Sequence, residues 1–192
     1  MTLANSTDLA DLPRRLFNRN TLLPLQPNSL WRLEWGTVRT LTWGDNGAAI
    51  ALGYWGPGSV VGTTLSHLQP YQIECVTSVE AVAVPSDRRS TVLNEIVETV
   101  QRTEELLTIV RYERIYQRLQ HLLVWLARKF GRSVPAGELI DLRLTHQAIA
   151  ELVGATRVTV TRLLKELEEA GEIHRQQRHY IILRNYQPPT AK

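Results

Sequence analysis

Between residues 30 and 84 the apolar positions fall in short β-favouring runs, LWRLEW, TVRTLTW, AAIALGYW, YQIECVTS and VEAVAVP. Gly36, the stretch Gly44-Asp45-Asn46-Gly47 and Gly56-Pro57-Gly58 separate them. That alternation predicts a β-rich domain. Asn46 and Gly47 tolerate positive φ, which makes their stretch a hairpin loop. Trp31, Trp35, Trp43 and Trp55 are expected to fill or flank the β core rather than stack a ligand. Pro85 and Ser86 close the region, and Ser86 or Ser90 is a candidate cap for the next element. From about residue 91 to 113 the pattern turns helical, with no Pro or Gly. Leu93, Ile96, Val100, Thr103, Leu107 and Val110 are spaced alternately three and four apart, as in a coiled-coil seam. A seam of this length points to self-association; the alternative is a helix packed along its own β domain. A second helix comes after it, with Leu119, Leu122, Leu123 and Leu126 inward and Gly131 at its end. Residues 139–144 are expected to form a strand.

The stretch THQAIAELVGATRVTVTRLL, residues 145–164, reads as a helix, a tight turn and a second helix. Ile149, Ala150 and Val153 make an apolar stripe on the first, and Val160, Leu163, Leu164 and Leu167 on the second. Gly154 falls where the chain must turn sharply, and Ala150 is small enough for two helices to cross closely. Thr156 is positioned to cap the second helix, its hydroxyl accepting an orphan N–H. Gly171 supplies the stop. Two short strands come next, residues 172–175 and 179–183, around Gln176, Gln177 and Arg178. The whole is a winged helix-turn-helix.

The free face of the second helix carries Arg157, Val158, Thr161, Arg162 and Lys165. Arginine presents a planar fork that bonds guanine O6 and N7 together, while valine or a threonine methyl meets a thymine methyl. Arg157, Val158, Thr161 and Arg162 are therefore the candidate base readers. Candidates for phosphate contact or positioning are Thr145, His146, Gln147, Thr156, Thr159, Lys165, Arg175 and Arg178, with His179 beside them on the wing. The bland alternative is an ordinary helical hairpin with a solvated arginine face and a solvated wing.

Charge distribution modestly favours the DNA reading. The chain has 192 residues and a net charge of +3, but residues 1–110 hold 8 basic and 11 acidic side chains, and residues 111–192 hold 14 and 8. A mildly acidic front and a basic back suit a sensor joined to a polyanion binder. One cysteine, Cys75, excludes disulfides within the chain and a cysteine-ligated cluster. No stretch approaches the roughly 20 apolar residues of a membrane helix. The first residues, MTLANSTDLADLPRR, lack the basic start and apolar run of a secretion signal. A cytoplasmic protein with no membrane partner is expected.

Two other function classes are weaker. A metal enzyme on the β domain needs two or three histidines and a carboxylate, and residues 1–110 contain His67 alone. No aromatic platform for RNA is present. The chain is not expected to be an enzyme. A protein-interaction or ligand-sensing module of the same fold that no longer binds DNA is the remaining alternative.

The string LTHQAIAELVGATRVTVTRLLKELEEAGEI resembles the cyclic-AMP receptor and fumarate–nitrate regulator (CRP/FNR) superfamily of bacterial transcription factors. Its TRVTVTRLL core is especially similar to the global nitrogen regulators of cyanobacteria. The resemblance implies an α+β protein in three parts: a β-roll sensor of the cyclic-nucleotide-binding jelly-roll type over residues 1–88, a long dimerisation helix over 89–114, and the winged helix-turn-helix over 115–192. It implies a homodimer on double-stranded DNA at a near-palindromic site, with RNA polymerase as a further partner. It puts Arg157, Val158 and Arg162 at base-reading positions. The catabolite activator branch has glutamate where this chain has Val158, so the half-site should differ and lie closer to GTA…TAC.

The resemblance is thinner in the sensor. Cyclic-AMP binders of the family carry a Gly-Glu-Leu turn and an Arg-Ser or Arg-Thr pair. Here the matching stretches are Val61-Gly62-Thr63-Thr64-Leu65 and Gln69-Pro70-Tyr71-Gln72, without glutamate or arginine. A cyclic phosphate would lack its bidentate partner. In the nitrogen regulators, arginines hold 2-oxoglutarate, and Thr99 stands where the helix arginine belongs. Neither ligand is expected, and the effector is unknown or absent. Gly62, Thr63, Thr64, Thr99 and Glu104 mark the pocket by resemblance. No metal, iron–sulfur cluster or other cofactor is expected; Cys75 reads as core packing, and His67 as a loop residue.

Overall fold

The structure, a computed structural model, describes residues 9–176 and 180–184. The chain divides into two compact units, residues 1–104 and 105–192. The fold class is α+β.

Among the described residues, seven strands build the first unit: β1 (Arg14–Phe17), β2 (Trp31–Trp35), β3 (Val38–Trp43), β4 (Ala49–Trp55), β5 (Val60–Val61), β6 (Gln72–Cys75) and β7 (Val79–Ala83). They pair antiparallel in two sheets, ordered β1-β7-β2-β5 and β4-β3-β6. Alternate side chains of the runs turn inward, as a half-buried strand requires. Leu33, Val38, Ile73, Cys75, Val79 and Ala81 meet in one fully buried cluster. The Asn46-Gly47 loop joins β3 to β4, with Gly47 at φ +73° and its amide bonded to the Gly44 carbonyl at 2.8 Å. Gly36 is required for a different reason: a Cβ there would lie 2.0 Å from the Ser78 carbonyl oxygen.

Three expectations for this unit change. The β region begins before residue 30, because RRLF pairs with β7 as the edge strand β1. Edge position and an almost wholly exposed surface leave that strand without apolar alternation, so its sequence carries no strand signature. Trp31 and Trp55 are buried and Trp43 is half-buried, but Trp35 points outward at 60% exposure. Neither serine caps the next helix: Pro85 is the N-cap residue, with no side-chain bond, and Ser86–Val92 form a 3₁₀ segment first.

Helix α1 (Leu93–Val110) has two faces. Ile96 packs on Leu30, Val60, Val84 and Val92 of its own β unit. Leu93, Val97, Val100 and Leu107 are exposed. The expected seam is therefore split: Leu93, Val100, Thr103 and Leu107 are exposed, Val97 takes the open position in place of half-buried Ile96, and Val110 is half-buried. The spacing of three and four survives, shifted by one residue at one position.

The second unit contains α2 (Ile115–Phe130), β8 (Gly131–Val134), β9 (Gly137–Ile140), α3 (His146–Val153), α4 (Arg157–Glu169), β10 (Ile173–Gln176) and β11 (Tyr180–Leu183). Its antiparallel sheet is ordered β10-β11-β9-β8. As expected, Leu119, Leu122, Leu123 and Leu126 of α2 are buried and the helix ends before Gly131. The strand expected over residues 139–144 ends at Ile140, and it pairs in a hairpin with β8, a strand the sequence pattern does not signal. Leu142 and Leu144 are buried outside any strand, which gives the stretch strand-like alternation without pairing. Among the described residues no helix is long and apolar enough to cross a membrane.

Candidate functional site

The turn between α3 and α4 forms as its residues dictate. The Thr145 hydroxyl accepts the Ala148 N–H at 3.0 Å, and that of Thr156 accepts the Thr159 N–H at 3.1 Å, so both helices start on a satisfied cap. Gly154 ends α3 in the left-handed region at φ 65°, and the Ala155 N–H returns to the Ala150 carbonyl at 3.1 Å. At the far end of α4 the Gly171 N–H reaches the Glu168 carbonyl and the Glu172 N–H the Leu167 carbonyl, both at 3.0 Å. That double bond pattern is a Schellman stop with glycine at positive φ.

Val160, Leu163, Leu164 and Leu167 bury the inner face of α4, each worth about 1.5–3 kcal/mol against exposure. That anchorage turns Arg157, Val158, Thr161, Arg162 and Lys165 outward. Val158 is 80% exposed, an unusual position for a valine. Arg162 pairs with Glu166, and Lys165 with Glu169 at 3.3 Å; both are i,i+4 surface pairs, weak enough to exchange for another anion. The Thr161 hydroxyl donates to the Arg157 carbonyl at 2.8 Å and meets His146 Nδ1 at 2.8 Å. Neither α3 nor α4 has an acidic residue in its first turn, so the positive helix ends keep their pull on anions.

The remaining candidates are distributed unevenly. Thr145, Gln147 and Thr156 are exposed beside the face, while His146 and Thr159 are half-buried. Gln147 donates to Glu151 at 3.0 Å, and the Thr156 and Thr159 hydroxyls lie 2.9 Å apart. Arg175 is half-buried and engaged with its own unit: its Nε donates to Glu168 at 2.7 Å and its backbone N–H to the same carboxylate at 3.1 Å. This hydrogen bonding holds the Glu168 carboxyl below its ordinary range. Arg175 thus ties the wing to the last turn of α4. Arg178 and His179 lie outside the described residues.

One structural residue has no signature in the sequence. Arg118 donates from Nε to the Tyr112 carbonyl at 2.7 Å and from Nη1 to the Val153 carbonyl at 3.2 Å, fastening the start of α2 to the helix-turn-helix. Val153 is distant in sequence, so no local pattern signals the clasp.

The β unit holds a cavity of about 220 Å³ whose walls include Leu52, Trp55, Val61, Leu65, Leu68 and Tyr71, with Thr40, Thr99 and Thr103 among its hydroxyls. Of the residues expected at the pocket, Thr99 lines it. Gly62, Thr63 and Thr64 do not. A Cβ on Gly62 would lie 2.1 Å from the Ser29 carbonyl oxygen, and both threonine hydroxyls bond to residues 26–29. Their turn fastens a loop. Glu104 is exposed. Cys75 is fully buried, and burial pushes its thiol up; His67 is exposed between elements.

A family model for the Crp-like helix-turn-helix domain matches residues 117–187. The chain is 46% identical over 172 residues to the regulatory protein CysR of Synechococcus elongatus, covering 88% of this chain and 83% of that protein. It is 36% identical over 114 residues to the global nitrogen regulator of Synechocystis, covering 54% and 51%. Among solved structures, a CRP-family transcriptional regulator from Thermus thermophilus shares the fold at TM-score 0.74 and 20% identity, covering 89% of this chain and 92% of that one. A capped, outward-facing arginine helix in a winged unit and similarity to CysR along most of both chains have one explanation: this chain belongs to the CRP/FNR family of transcription regulators.

Proposed function

We propose that this regulator works in the cytoplasm as a homodimer, setting two α4 helices into successive major grooves of a near-palindromic site. Arg157 and Arg162 bond guanine edges, Val158 meets a thymine methyl, and Thr161 contributes its methyl because its hydroxyl is held within the fold. Thr145, His146, Gln147, Thr156, Thr159 and Lys165 position the helix on phosphates, helped by the unneutralised helix ends. The observation that carries the reading is the outer face of α4, cationic and open around a valine left 80% exposed. Self-association uses the stripe Leu93, Val97, Val100 and Leu107 of α1, four exposed apolar side chains at coiled-coil spacing. Val158 in place of an acceptor favours a half-site near GTA…TAC. A promoter-bound dimer then presents its surface to RNA polymerase. Regulation enters through the β-unit cavity without cyclic AMP, 2-oxoglutarate, metal or iron–sulfur cluster; burial favours a packing role for Cys75.

Binding of the full chain to a labelled GTA…TAC duplex, titrated with salt and repeated with Arg157→Ala and Arg162→Ala, tests this. The reading expects preference for that duplex over a scrambled one, a steep fall with salt and lost preference in both variants. Selectivity kept by both variants contradicts it. Val97→Asp should yield monomers in sedimentation.

A further inference from the structure

The cavity of the β unit states its ligand chemistry through what lines it. Among the described residues that line it there is no Lys, Arg, His, Asp or Glu. The nearby cations of the same elements are committed elsewhere. Arg39 on β3 is held by Glu74 at 2.8 and 3.0 Å, and Arg102 on α1 by Ser59 at 2.6 Å and Glu98 at 2.8 Å. An anion entering this space would give up part of its hydration and find no counter-charge on the lining to replace it.

The hydroxyls point the same way. Thr99 donates to the Glu95 carbonyl and Thr103 to the Thr99 carbonyl, both at 2.8 Å, and Thr40 accepts the Trp55 indole N–H at 3.0 Å. The threonines of α1 have therefore spent their protons within the helix and offer lone pairs. Tyr71 keeps its phenol neutral, burial having pushed it up to about 12. The walls between these groups are leucine, valine and indole, together with Ser66, whose hydroxyl accepts the Leu68 N–H at 3.2 Å. A closed apolar cavity of about 150 Å³ admits a benzene-sized molecule; this mainly apolar pocket, which reaches solvent at Leu68 and Thr103, is about 220 Å³.

We propose that the cavity is a binding site for a small, uncharged, mostly apolar molecule carrying one hydroxyl-type donor, seated against Thr99 and Thr103 of α1. The proposal deepens the sensor reading above and rests on it only for the link from occupancy to DNA binding. A ligand there touches the element whose other face bears the exposed apolar stripe, so occupancy has a direct mechanical route to that helix.

The test uses the full chain without DNA and matched probes: benzyl alcohol and phenol against benzoate, with cyclic AMP and 2-oxoglutarate alongside. Thermal shift and calorimetry should show the neutral probes binding about tenfold or more tighter than benzoate, since charge is the main difference. Thr103→Arg should weaken the neutral probes and admit benzoate. Benzoate binding the unaltered chain as well as benzyl alcohol, stabilisation by either biological anion, no binding of any neutral probe, or binding unchanged in the variant would each overturn the proposal. Because no DNA is present, such a failure leaves the α4 reading standing, and a failure in the duplex assay leaves this one standing.

Discussion

The outer face of α4 and the cavity of the β unit are built on opposite principles. The first is a short run of consecutive sequence, turned outward, cationic, held by the Thr156 cap and a Schellman stop. The second gathers residues from Thr40 to Thr103 around a pocket whose lining carries no charged side chain. A polyanion is long, stays hydrated and is met by charges at a surface. A lining without charge suits a small ligand that brings none. If the cavity takes the neutral ligand proposed above, two recognition problems in one regulator receive opposite electrostatic solutions.

The largest expected effect removes the scaffold under the cationic face. Leu164→Ala, at a fully buried position, should cost about 2–5 kcal/mol in unfolding of the winged unit and abolish DNA binding with it. Retained stability would mean that α4 is not anchored by its inner face. Next comes chemistry without scaffold. Arg157→Ala should lose about 1–3 kcal/mol of discrimination at one base pair, with unchanged circular dichroism. Thr156→Ala removes the cap of α4 and should cost about 1 kcal/mol in thermal unfolding, with Thr156→Ser restoring most of it.

The smallest effect concerns the wing. Arg175 holds the Glu168 carboxyl below its ordinary 4.5, so the contact stabilises fully above that pH and is lost as pH falls through the depressed value. Glu168→Gln should remove that acid-side component from a pH series of melting temperatures, a change of about 0.2–1 kcal/mol for so accessible a pair. An unchanged series would show that the wing is held by its sheet alone.

Legibility in the sequence divides along the same line. The helix-turn-helix was readable because its determinants are local: Gly154 at the turn, Thr156 at the cap, and four apolar residues at helical spacing on α4 all act within one or two turns. The seam of α1 was readable in spacing but not in phase. Ile96 and Val97 are adjacent and both apolar, and the choice between them depends on where the β unit packs against the helix. The partnership of β8 with β9, the edge strand β1 and the clasp of Arg118 across Tyr112 and Val153 depend likewise on tertiary pairing rather than on a local pattern. The cavity was hardest of all. Resemblance points to Gly62, Thr63, Thr64, Thr99 and Glu104, and of these Thr99 lines the cavity; the rest of the lining includes Val61 and Leu65 at the ends of the matched turn, Tyr71, Leu52, Leu68 and Thr103, one helical turn from Thr99 on α1. That pair was the signal available.

The most direct test of the central claim is selection from a random duplex pool by the full chain and by Arg157→Ala in parallel, with both bound populations sequenced. The account predicts a two-fold symmetric motif for the unaltered protein and loss of preference at the same position of each half-site in the variant. An identical motif from both proteins, or no motif from either, would contradict it.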